Sequence, residues 1–434
     1  MMKIAVIGAG AAGLTTAWLL EEQHEVIVFE QQDRLGGHAH TLQVERAGEI
    51  NYIDAGFEFF SQQAFPLFNR LLHTLDVPLS SFPMRLTLER AATRVPLLIP
   101  PVQTGKLMWS ALTPRIIWEL LQLRFAIGRA APLVQAGDPF VTLEEFLRTL
   151  PLSRRFRAHI LEPFLQLGWC LPLEEFLRFS AYDVMKLMVL HRGAGLFGER
   201  WQEIVGGTET YIRLLTQSLT RAQLRLSTPV RQLERDEQRL LLVDDQGQRE
   251  SFDHVVLATS ASDASRLLTT LTGSEALCQR LSKVEYFQTK IAVHGDKRWM
   301  PRQPRHWSVI NIRTESPSSA ITVWKPWRGQ ELFRSWVTYA PALPDPLYGL
   351  VTFSHPKPNR HYFEAQAYLE TVQGHDHLWL AGMYTQDVDL HESAIRSAVR
   401  VAQALAPDTP RLRQLLGQVA APALSPATSR PSPL

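Results

Sequence analysis

The sequence predicts an α/β fold in which a Rossmann-like nucleotide-binding unit is joined to a mixed α+β domain. Short apolar runs at residues 4–7 and 25–30 flank a glycine-rich turn and a helical pattern, as in a strand-turn-helix-strand unit. Residues 61–200 are mostly helical in pattern, whereas residues 286–340 alternate short β-like runs with Pro and Gly. A length of 434 residues, at about 150 residues per domain, allows about three domains or two large ones.

Composition places the chain among ordinary globular proteins. Hydrophobic residues make up 45% and charged residues 20%, which excludes a disordered, collagen-like or coiled-coil protein. The formal net charge of +2 indicates no strongly basic surface, so we expect no nucleic-acid partner. Two cysteines, Cys170 and Cys278, are too few for a disulfide scaffold and fit a cytoplasmic location. The apolar run at 4–20 is broken by glycines and followed by two glutamates, so we expect neither a signal peptide nor a membrane span.

A glycine motif, GAGAAG at residues 8–13, separates the first apolar run from the helical pattern. Gly8 permits a tight turn, Gly10 lets a pyrophosphate approach the backbone, and Gly13 lets the helix pack close to the strand. Ala12 lies in the first turn of this helix, whose N-terminus favours an anion. Glu30 ends the second strand and is placed to accept hydrogen bonds from a ribose, and its charge disfavours NADP. These residues predict a dinucleotide site.

A second glycine turn follows in the sequence RLGGHAHT at residues 34–41. Arg34 precedes the pair Gly36 and Gly37, and a cation beside a second flexible turn suits a dinucleotide that continues along the protein. This pattern favours FAD over NAD. His38 and His40 alternate along an extended segment and could form half of a metal site, but no cysteine or carboxylate cluster accompanies them, so we expect no metal.

On these residues the chain resembles the FAD-dependent amine oxidase superfamily, which includes monoamine and polyamine oxidases, phytoene-type desaturases and protoporphyrinogen oxidase. Its members carry GxGxxG, a glutamate at the end of the second strand, and RxGGR with a nearby Thr or Ser. Thr41 fits this pattern, whereas His38 stands where the second arginine is usual. The variant GGHxHT is most similar to bacterial predicted NAD/FAD-binding oxidoreductases, often encoded beside cyclopropane-fatty-acid synthases.

The resemblance implies an α/β, Rossmann-like FAD-binding domain of the glutathione-reductase type, interleaved with an α+β substrate domain. The FAD-binding domain would be assembled from residues 1–60, 201–285 and 375–410, and the substrate domain from residues 61–200 and 286–374. Residues 411–434 are rich in Pro, Ala and Ser, which predicts a loosely ordered tail.

The resemblance also implies further site residues. Cofactor contacts would come from the end of a hairpin, two middle strands and the final strand-turn-helix: Gly56, Phe57, Val230, Ala258, Gly382, Met383, His391 and Glu392. Ser393 and Ala398 stand where glycines are usual, which weakens the expectation of a close backbone approach there. Lys290 is the catalytic candidate, because it lies in a stretch similar to one in which a lysine reaches the flavin N5 through a water. The alternative for Lys290 is a surface lysine on an edge strand.

Two features point to an apolar substrate. Amine oxidases commonly place a tyrosine of an aromatic cage just before the C-terminal acid, whereas this chain has Leu390 and His391 there. Residues 95–131 are apolar, rich in tryptophan and edged with basic residues, which fits either a pair of core helices or an element lying on a membrane surface. Both possibilities predict an apolar pocket and hence a hydrophobic small-molecule substrate. Together with the resemblance to the bacterial branch, they make a fatty-acyl or other long hydrophobic chain the leading candidate.

We therefore expect an FAD-dependent oxidoreductase of the oxidase, dehydrogenase or desaturase type that transfers hydride from a hydrophobic substrate to flavin. An amine oxidase is the alternative within this class. From other classes, a flavin-free lipid carrier of the GDP-dissociation-inhibitor type or a non-redox flavin isomerase remains open. Intact Glu30, Arg34, Gly36 and Gly37 argue against the carrier. The sequence does not predict the oligomeric state.

Overall fold

The structure is a computed structural model, and it describes residues 1–46, 48–100, 102–103, 106–191, 200–314 and 318–418. The strands are β1 (Lys3–Ile7), β2 (Glu25–Phe29), β3 (Thr41–Arg46), β4 (Glu49–Asp54), β5 (Leu79–Pro83), β6 (Leu86–Arg90), β7 (Val95–Leu98), β8 (Val102–Gln103), β9 (Lys106–Leu107), β10 (Arg200–Ile204), β11 (Gln223–Arg225), β12 (Val230–Asp236), β13 (Arg239–Asp244), β14 (Arg249–Phe252), β15 (His254–Leu257), β16 (Tyr286–His294), β17 (Ile310–Thr314), β18 (Ser319–Trp324), β19 (Phe333–Trp336), β20 (Leu347–Pro356) and β21 (Leu378–Leu380).

The α-helices are α1 (Ala11–Leu20), α2 (Pro66–Thr74), α3 (Pro114–Ala136), α4 (Leu143–Arg148), α5 (Arg154–Phe156), α6 (Glu162–Leu165), α7 (Leu173–Phe176), α8 (Ala181–Leu190), α9 (Glu209–Gln217), α10 (Ala261–Leu268), α11 (Glu275–Leu281), α12 (Arg360–Val372), α13 (His391–Leu405) and α14 (Pro410–Leu415). A 3₁₀ turn, Trp109–Ala111, precedes α3, and a π-helical turn, Arg157–Leu161, joins α5 to α6. In the described part of the chain, no helix has the length and apolar character needed to cross a membrane.

A five-stranded parallel sheet in the order β11-β2-β1-β15-β21 forms the nucleotide-binding half. Successive side chains of a strand point to opposite faces, so β1 contributes side chains to two hydrophobic cores. Ile4 and Val6 pack with α1, α2 and α13, whereas Ala5 and Ile7 pack with the β12–β14 sheet and α10 to α12. The predicted Rossmann-like α/β fold is confirmed. Every strand of this sheet lies in one of the three segments that we predicted to form it.

A seven-stranded sheet in the order β20-β16-β19-β18-β17-β6-β7 forms the second half. It is antiparallel except where β17 and β6 run parallel. Leu88, Phe287 and Ile312 join α3 to α8 in one core, which covers a face of this sheet. The antiparallel sheet expected from residues 286–340 is therefore completed by strands from both earlier and later in the chain.

The expectation of mostly helical structure over residues 61–200 is wrong for residues 79–107, which contribute strands β5 to β9. Strand β6 pairs with β17, more than 200 residues away, and this long-range pairing overrides the local pattern. Residues 95–131 likewise do not form a helix pair, since β7 leads through short strands and a 3₁₀ turn to one long helix, α3.

Two helices from the segments assigned to the substrate domain pack on the parallel sheet instead. Phe68 and Leu71 of α2 are buried in the core with α1 and α13, and Tyr362 and Leu369 of α12 are buried in the core on the opposite face. The predicted domain boundaries are corrected at α2 and α12, because the apolar faces of these helices pack in the two cores of the parallel sheet.

The predicted loose tail is corrected at its start, since residues 410–418 are ordered. The Arg411 guanidinium donates to Glu21 Oε1 at 2.6 Å and to the carbonyl oxygens of Trp18 at 2.7 Å and Ser218 at 3.1 Å. Glu21 is buried, so this ion pair fixes α14 to the end of α1. Residues 419–434 lie outside the described residues.

We expect Arg411→Ala to lower the free energy of unfolding by about 3 kcal/mol, because it leaves the buried Glu21 carboxylate without its cation. The neighbouring exposed pair between Arg413 and Asp408 provides a matched control, and Arg413→Ala should cost less than about 1 kcal/mol. Denaturant unfolding of both variants measures this difference. Equal losses would show that α14 is not held by the Glu21 contact.

Candidate functional site

A cleft of about 530 Å³ crosses the carboxyl ends of four neighbouring parallel strands. Glu30 follows β2, Gly8 follows β1, Ala258 follows β15 and Gly382 lies shortly after β21. Ligands of open α/β sheets bind at this edge, where the loops after successive strands diverge. The cleft is therefore the candidate cofactor site.

Most of the predicted cofactor residues line this cleft. They are Gly8, Gly10, Ala12, Glu30, Arg34, Gly36, Gly37, His38, Val230, Ala258, Gly382, Met383 and His391. The two glycine turns lie side by side, because the backbone N–H of Gly36 donates to the carbonyl oxygen of Ala9 at 2.9 Å. Gly8 and Gly382, which are 374 residues apart in the sequence, thus line one space.

The cleft fits a dinucleotide. Gly10 precedes α1 and has no side chain to cap the helix, so the amides of its first turn stay available to an anion. A Cβ placed on Gly10 would meet no atom within 4 Å, which shows an open approach to this backbone. The Glu30 carboxylate accepts the amides of Ala9 at 2.8 Å and Gln32 at 2.9 Å, and its further lone pairs can accept the hydroxyls of a ribose.

Three arginines, Arg34, Arg231 and Arg266, supply positive charge along the cleft. The Arg34 guanidinium donates to the carbonyl oxygen of Gly37 at 2.7 Å, which holds the cation beside the second glycine turn. Arg266 pairs with Asp263 at 2.5 Å, and both residues line the cleft. Only Arg34 was anticipated from the sequence, because the other two arginines belong to no motif.

The cleft histidines are neutral. Burial lowers the pKa of His38, whose ring stacks on Phe353 and whose Nε2 lies 3.1 Å from the carbonyl oxygen of Ser354. Burial also lowers the pKa of His391 to about 3. Where members of the superfamily usually carry an arginine, this chain therefore has His38, and burial favours the uncharged form of its ring. His40 also contacts Phe353, and the described residues contain no group of three side chains suited to a metal ion.

Gly13, Gly56 and Phe57 do not line the cleft but shape its walls. A Cβ on Gly13 would lie 1.9 Å from the carbonyl oxygen of Gly8, and a Cβ on Gly56 would lie 1.9 Å from that of His38. Both glycines therefore allow two backbone segments to touch. Phe57 stacks on His391, with ring centroids 4.2 Å apart and planes 7° apart.

Glu392 has a different role from the one that the resemblance implies. Its buried carboxylate accepts the backbone amides of Leu67 at 3.0 Å and Phe68 at 2.9 Å. These amides belong to the first turn of α2, so Glu392 caps that helix from 325 residues away. The assignment of Glu392 as a cofactor contact is corrected accordingly.

Lys290 is not among the residues that line the cleft. It lies on β16, four residues beyond Tyr286, which does line the cleft, and its side chain is exposed. Residues 286, 288 and 290 share one face of the strand. Lys290 therefore lies on the same face as Tyr286 but about 13 Å farther along the strand, outside the residues that line the cleft. Its catalytic role stays a prediction.

Sequence reasoning missed Tyr286 and Ser354, which bring the seven-stranded sheet to the cleft. The Tyr286 hydroxyl accepts the backbone amide of Ala261, at the start of α10, at 2.8 Å. Gln288 is paired with Ser354 and Tyr286 with Pro356 across β16 and β20. The alternating apolar pattern signals these strands, but it does not show which strand forms the sheet edge beside the cofactor site.

The family model described as flavin-containing amine oxidoreductase matches residues 11–323. The chain belongs to this family. The predicted superfamily is thereby confirmed, and FAD is the cofactor that family membership implies. The narrower resemblance to the bacterial branch stays a prediction.

Individual relatives show how far the similarity extends. The flavin-dependent L-tryptophan oxidase RebO of Lentzea aerocolonigenes is 49% identical over 55 residues, which is 12% of each chain. Cyclohexylamine oxidase from Brevibacterium oxydans superimposes with a TM-score of 0.66 at 18% identity, covering 94% of this chain and 99% of its own. A fatty acid isomerase from P. acnes superimposes with a TM-score of 0.67 at 12% identity, covering 93% of this chain and 99% of its own. These solved structures share the fold, whereas the match to the curated relative is confined to a short segment.

Proposed function

We propose that this protein is an FAD-dependent oxidoreductase that oxidises a hydrophobic substrate, with a fatty-acyl chain as the leading candidate. The observation that carries the proposal is a dinucleotide cleft lined in part by His391, whose ring is backed by buried phenylalanines rather than by charged groups. Bound FAD would supply the hydride acceptor. The residues of the chain would bind it, orient the substrate and exclude water.

The cofactor-binding part of the proposal rests on complementary charges. The amide groups at the start of α1 and the Arg34 guanidinium suit a pyrophosphate, and the Glu30 carboxylate suits a ribose diol. A flavin-free carrier for an apolar molecule would have no use for three arginines and a carboxylate in one cleft. The cleft therefore supports a flavoprotein over a carrier.

The hydrophobic-substrate part rests on the phenylalanines packed around His391. Phe57 and Phe60 each contact the other three phenylalanines of the set Phe57, Phe60, Phe65 and Phe68, and Phe57 and Phe68 also contact the His391 ring. None of the four lines the cleft, and Phe60, Phe65 and Phe68 are buried, so the cluster forms the apolar backing of His391. His391 itself is neutral and lines the cleft. The Glu392 carboxylate beside this cluster is already engaged by the α2 amides. A neutral wall of this kind favours an alkyl chain, which gains by leaving water, over a cationic amine.

The fold alone does not choose the substrate, because amine oxidases and a fatty acid isomerase share it. The uncharged His391 wall of the cleft supports an apolar substrate over an amine. Redox chemistry and isomerisation of such a substrate differ in outcome, since an isomerase returns a product of unchanged mass.

The test is the visible spectrum of the purified protein, followed by anaerobic mixing with fatty acids, fatty-acyl esters and primary amines. We expect a yellow protein whose flavin absorbance bleaches with a fatty-acyl compound and not with the amines. A colourless protein that FAD cannot reconstitute would overturn the flavoprotein proposal. Bleaching by an amine alone would overturn the substrate class, and a product of unchanged mass would replace oxidation with isomerisation.

A further inference from the structure

The outer face of α3 carries a row of exposed apolar side chains. Ile117, Leu121 and Phe125 are spaced by four residues and so share one side of the helix with Trp118. Trp109, in the 3₁₀ turn before α3, is 77% exposed, Trp118 is 62% exposed and Leu121 is 53% exposed. We call Trp109, Leu112, Ile117, Trp118, Leu121 and Phe125 the outer face.

The opposite side of α3 is an ordinary core surface. Ile116, Leu123, Ala126 and Ala130 are buried against α8 and its neighbours. The helix therefore has one apolar side packed in the protein and a second that is exposed. Two tryptophans exposed to this extent need a partner, because burying such rings removes a large apolar area from water.

The charges of α3 identify the partner. Arg115, Arg124 and Arg129 are exposed, whereas the helix has one acidic residue, Glu119, which is buried and accepts a hydrogen bond from Gln122 at 3.1 Å. At 100° per residue, Arg124 and Arg129 flank the apolar row on its two sides. The outer face is thus apolar at its centre and basic along its edges.

We propose that the outer face of α3 docks on the surface of a lipid bilayer that contains anionic lipids. Tryptophan and leucine side chains would enter the boundary between headgroups and acyl chains, while the three arginines contact lipid phosphates. The helix would lie parallel to the membrane plane. This site goes beyond the proposed redox function, and its binding does not depend on flavin.

A second copy of the chain fits this face less well. In a twofold dimer the same patch meets itself, so its basic edges would face basic edges without an acidic partner on the patch. Like charges across an interface oppose association, whereas anionic headgroups neutralise all three arginines. Charge complementarity therefore favours an anionic bilayer over a second copy of the chain as the partner of the outer face.

The experiment is flotation of the purified full chain with phosphatidylcholine vesicles, with and without added phosphatidylglycerol, together with its sedimentation in the absence of lipid. We expect binding to the anionic vesicles that weakens with added salt. The double variant Trp118→Asp and Leu121→Asp should lower the partition coefficient at least about tenfold. The triple variant Arg115→Gln, Arg124→Gln and Arg129→Gln should lower it on anionic vesicles by about 100-fold, at about fivefold for each arginine.

A matched control removes exposed apolar side chains elsewhere, with Tyr339→Asp and Leu343→Asp. It should float like the parent chain. All substituted residues are exposed, so thermal unfolding should be unchanged in every variant.

Failure of the parent chain to float with anionic vesicles would overturn the proposal, as would unchanged binding of both α3 variants. A parent dimer that the Trp118→Asp and Leu121→Asp variant converts to a monomer would replace the bilayer with a second copy. The readout is lipid binding, so either result leaves the flavoprotein proposal to its own test.

Discussion

Replacing Gly13 with alanine is expected to destabilise the FAD-free protein by about 3 kcal/mol. The added Cβ would lie 1.9 Å from the carbonyl oxygen and 3.0 Å from the carbonyl carbon of Gly8, and neither backbone atom can rotate away. Alanine favours a helix over glycine by about 1 kcal/mol, which is too little to offset this clash. Helix α1 would therefore have to move away from the turn after β1.

Gly10 provides the matched comparison. Its φ of −77° suits any residue, and a Cβ there meets nothing within 4 Å, so Gly10→Ala should cost the FAD-free protein about 1 kcal/mol or less. The same Cβ enters the cleft where a pyrophosphate would approach, so FAD affinity should fall about tenfold or more.

Thermal unfolding of FAD-stripped protein and FAD titration separate these two effects. We expect Gly13→Ala to reduce both stability and FAD binding, and Gly10→Ala to reduce FAD binding alone. If Gly13→Ala unfolds at the parent temperature, the contact between α1 and Gly8 does not constrain the fold. If Gly10→Ala binds FAD like the parent chain, the first glycine turn is not the pyrophosphate site.

The second large effect is expected at Glu392. Glu392→Ala leaves two amides of the first turn of α2, those of Leu67 and Phe68, without their acceptor in a buried place. Each lost acceptor costs about 1–2 kcal/mol, so the free energy of unfolding should fall by about 2–4 kcal/mol. Glu392→Gln should lose less, because its amide oxygen can still accept one of the two bonds.

Arg396→Ala is the control for losing the ion pair of Glu392 while keeping its hydrogen bonds to α2. The Arg396 guanidinium lies 3.6 Å from a Glu392 carboxylate oxygen, and the α2 amides bind Glu392 directly. We expect this variant to retain almost the parent stability. Denaturant unfolding of FAD-stripped protein measures the three variants, and FAD titration shows whether the cofactor site survives. Parent-like unfolding of Glu392→Ala combined with lost FAD binding would restore the cofactor role that the resemblance implies.

The sequence anticipated the local parts of this protein well. The unit from β1 to β2 depends on residues within 30 positions of one another, so apolar runs, glycine spacing and Glu30 suffice to define it. The hairpin of β3 and β4 is equally local, because its two strands are separated by two residues. Gly8 has a φ of 103°, and Gly13 lies against the Gly8 carbonyl within the same turn, which is why spacing alone identified their roles.

Contacts between distant segments needed the tertiary structure. The sequence pattern assigns strands β5 and β6 to a helical region, because their partners β10 and β17 lie far along the chain. Tyr286 and Ser354 reach the cleft through the edge of a sheet whose strand order the sequence does not encode locally. The exposure of α3 was similarly ambiguous, since an apolar helix with basic edges can be buried or open.

By itself the sequence determined an α/β fold, a dinucleotide turn and a family resemblance that the comparisons confirmed. Only the tertiary structure decided that Glu392 caps α2, that Phe57 stacks on His391, and that Trp109 before α3 and Trp118 within it are exposed. The physical reason is the distance along the chain between the residues that determine each feature. Turn geometry and helix starts follow from neighbouring residues, whereas burial, capping across the chain and the neutral state of a histidine depend on what folding brings against them.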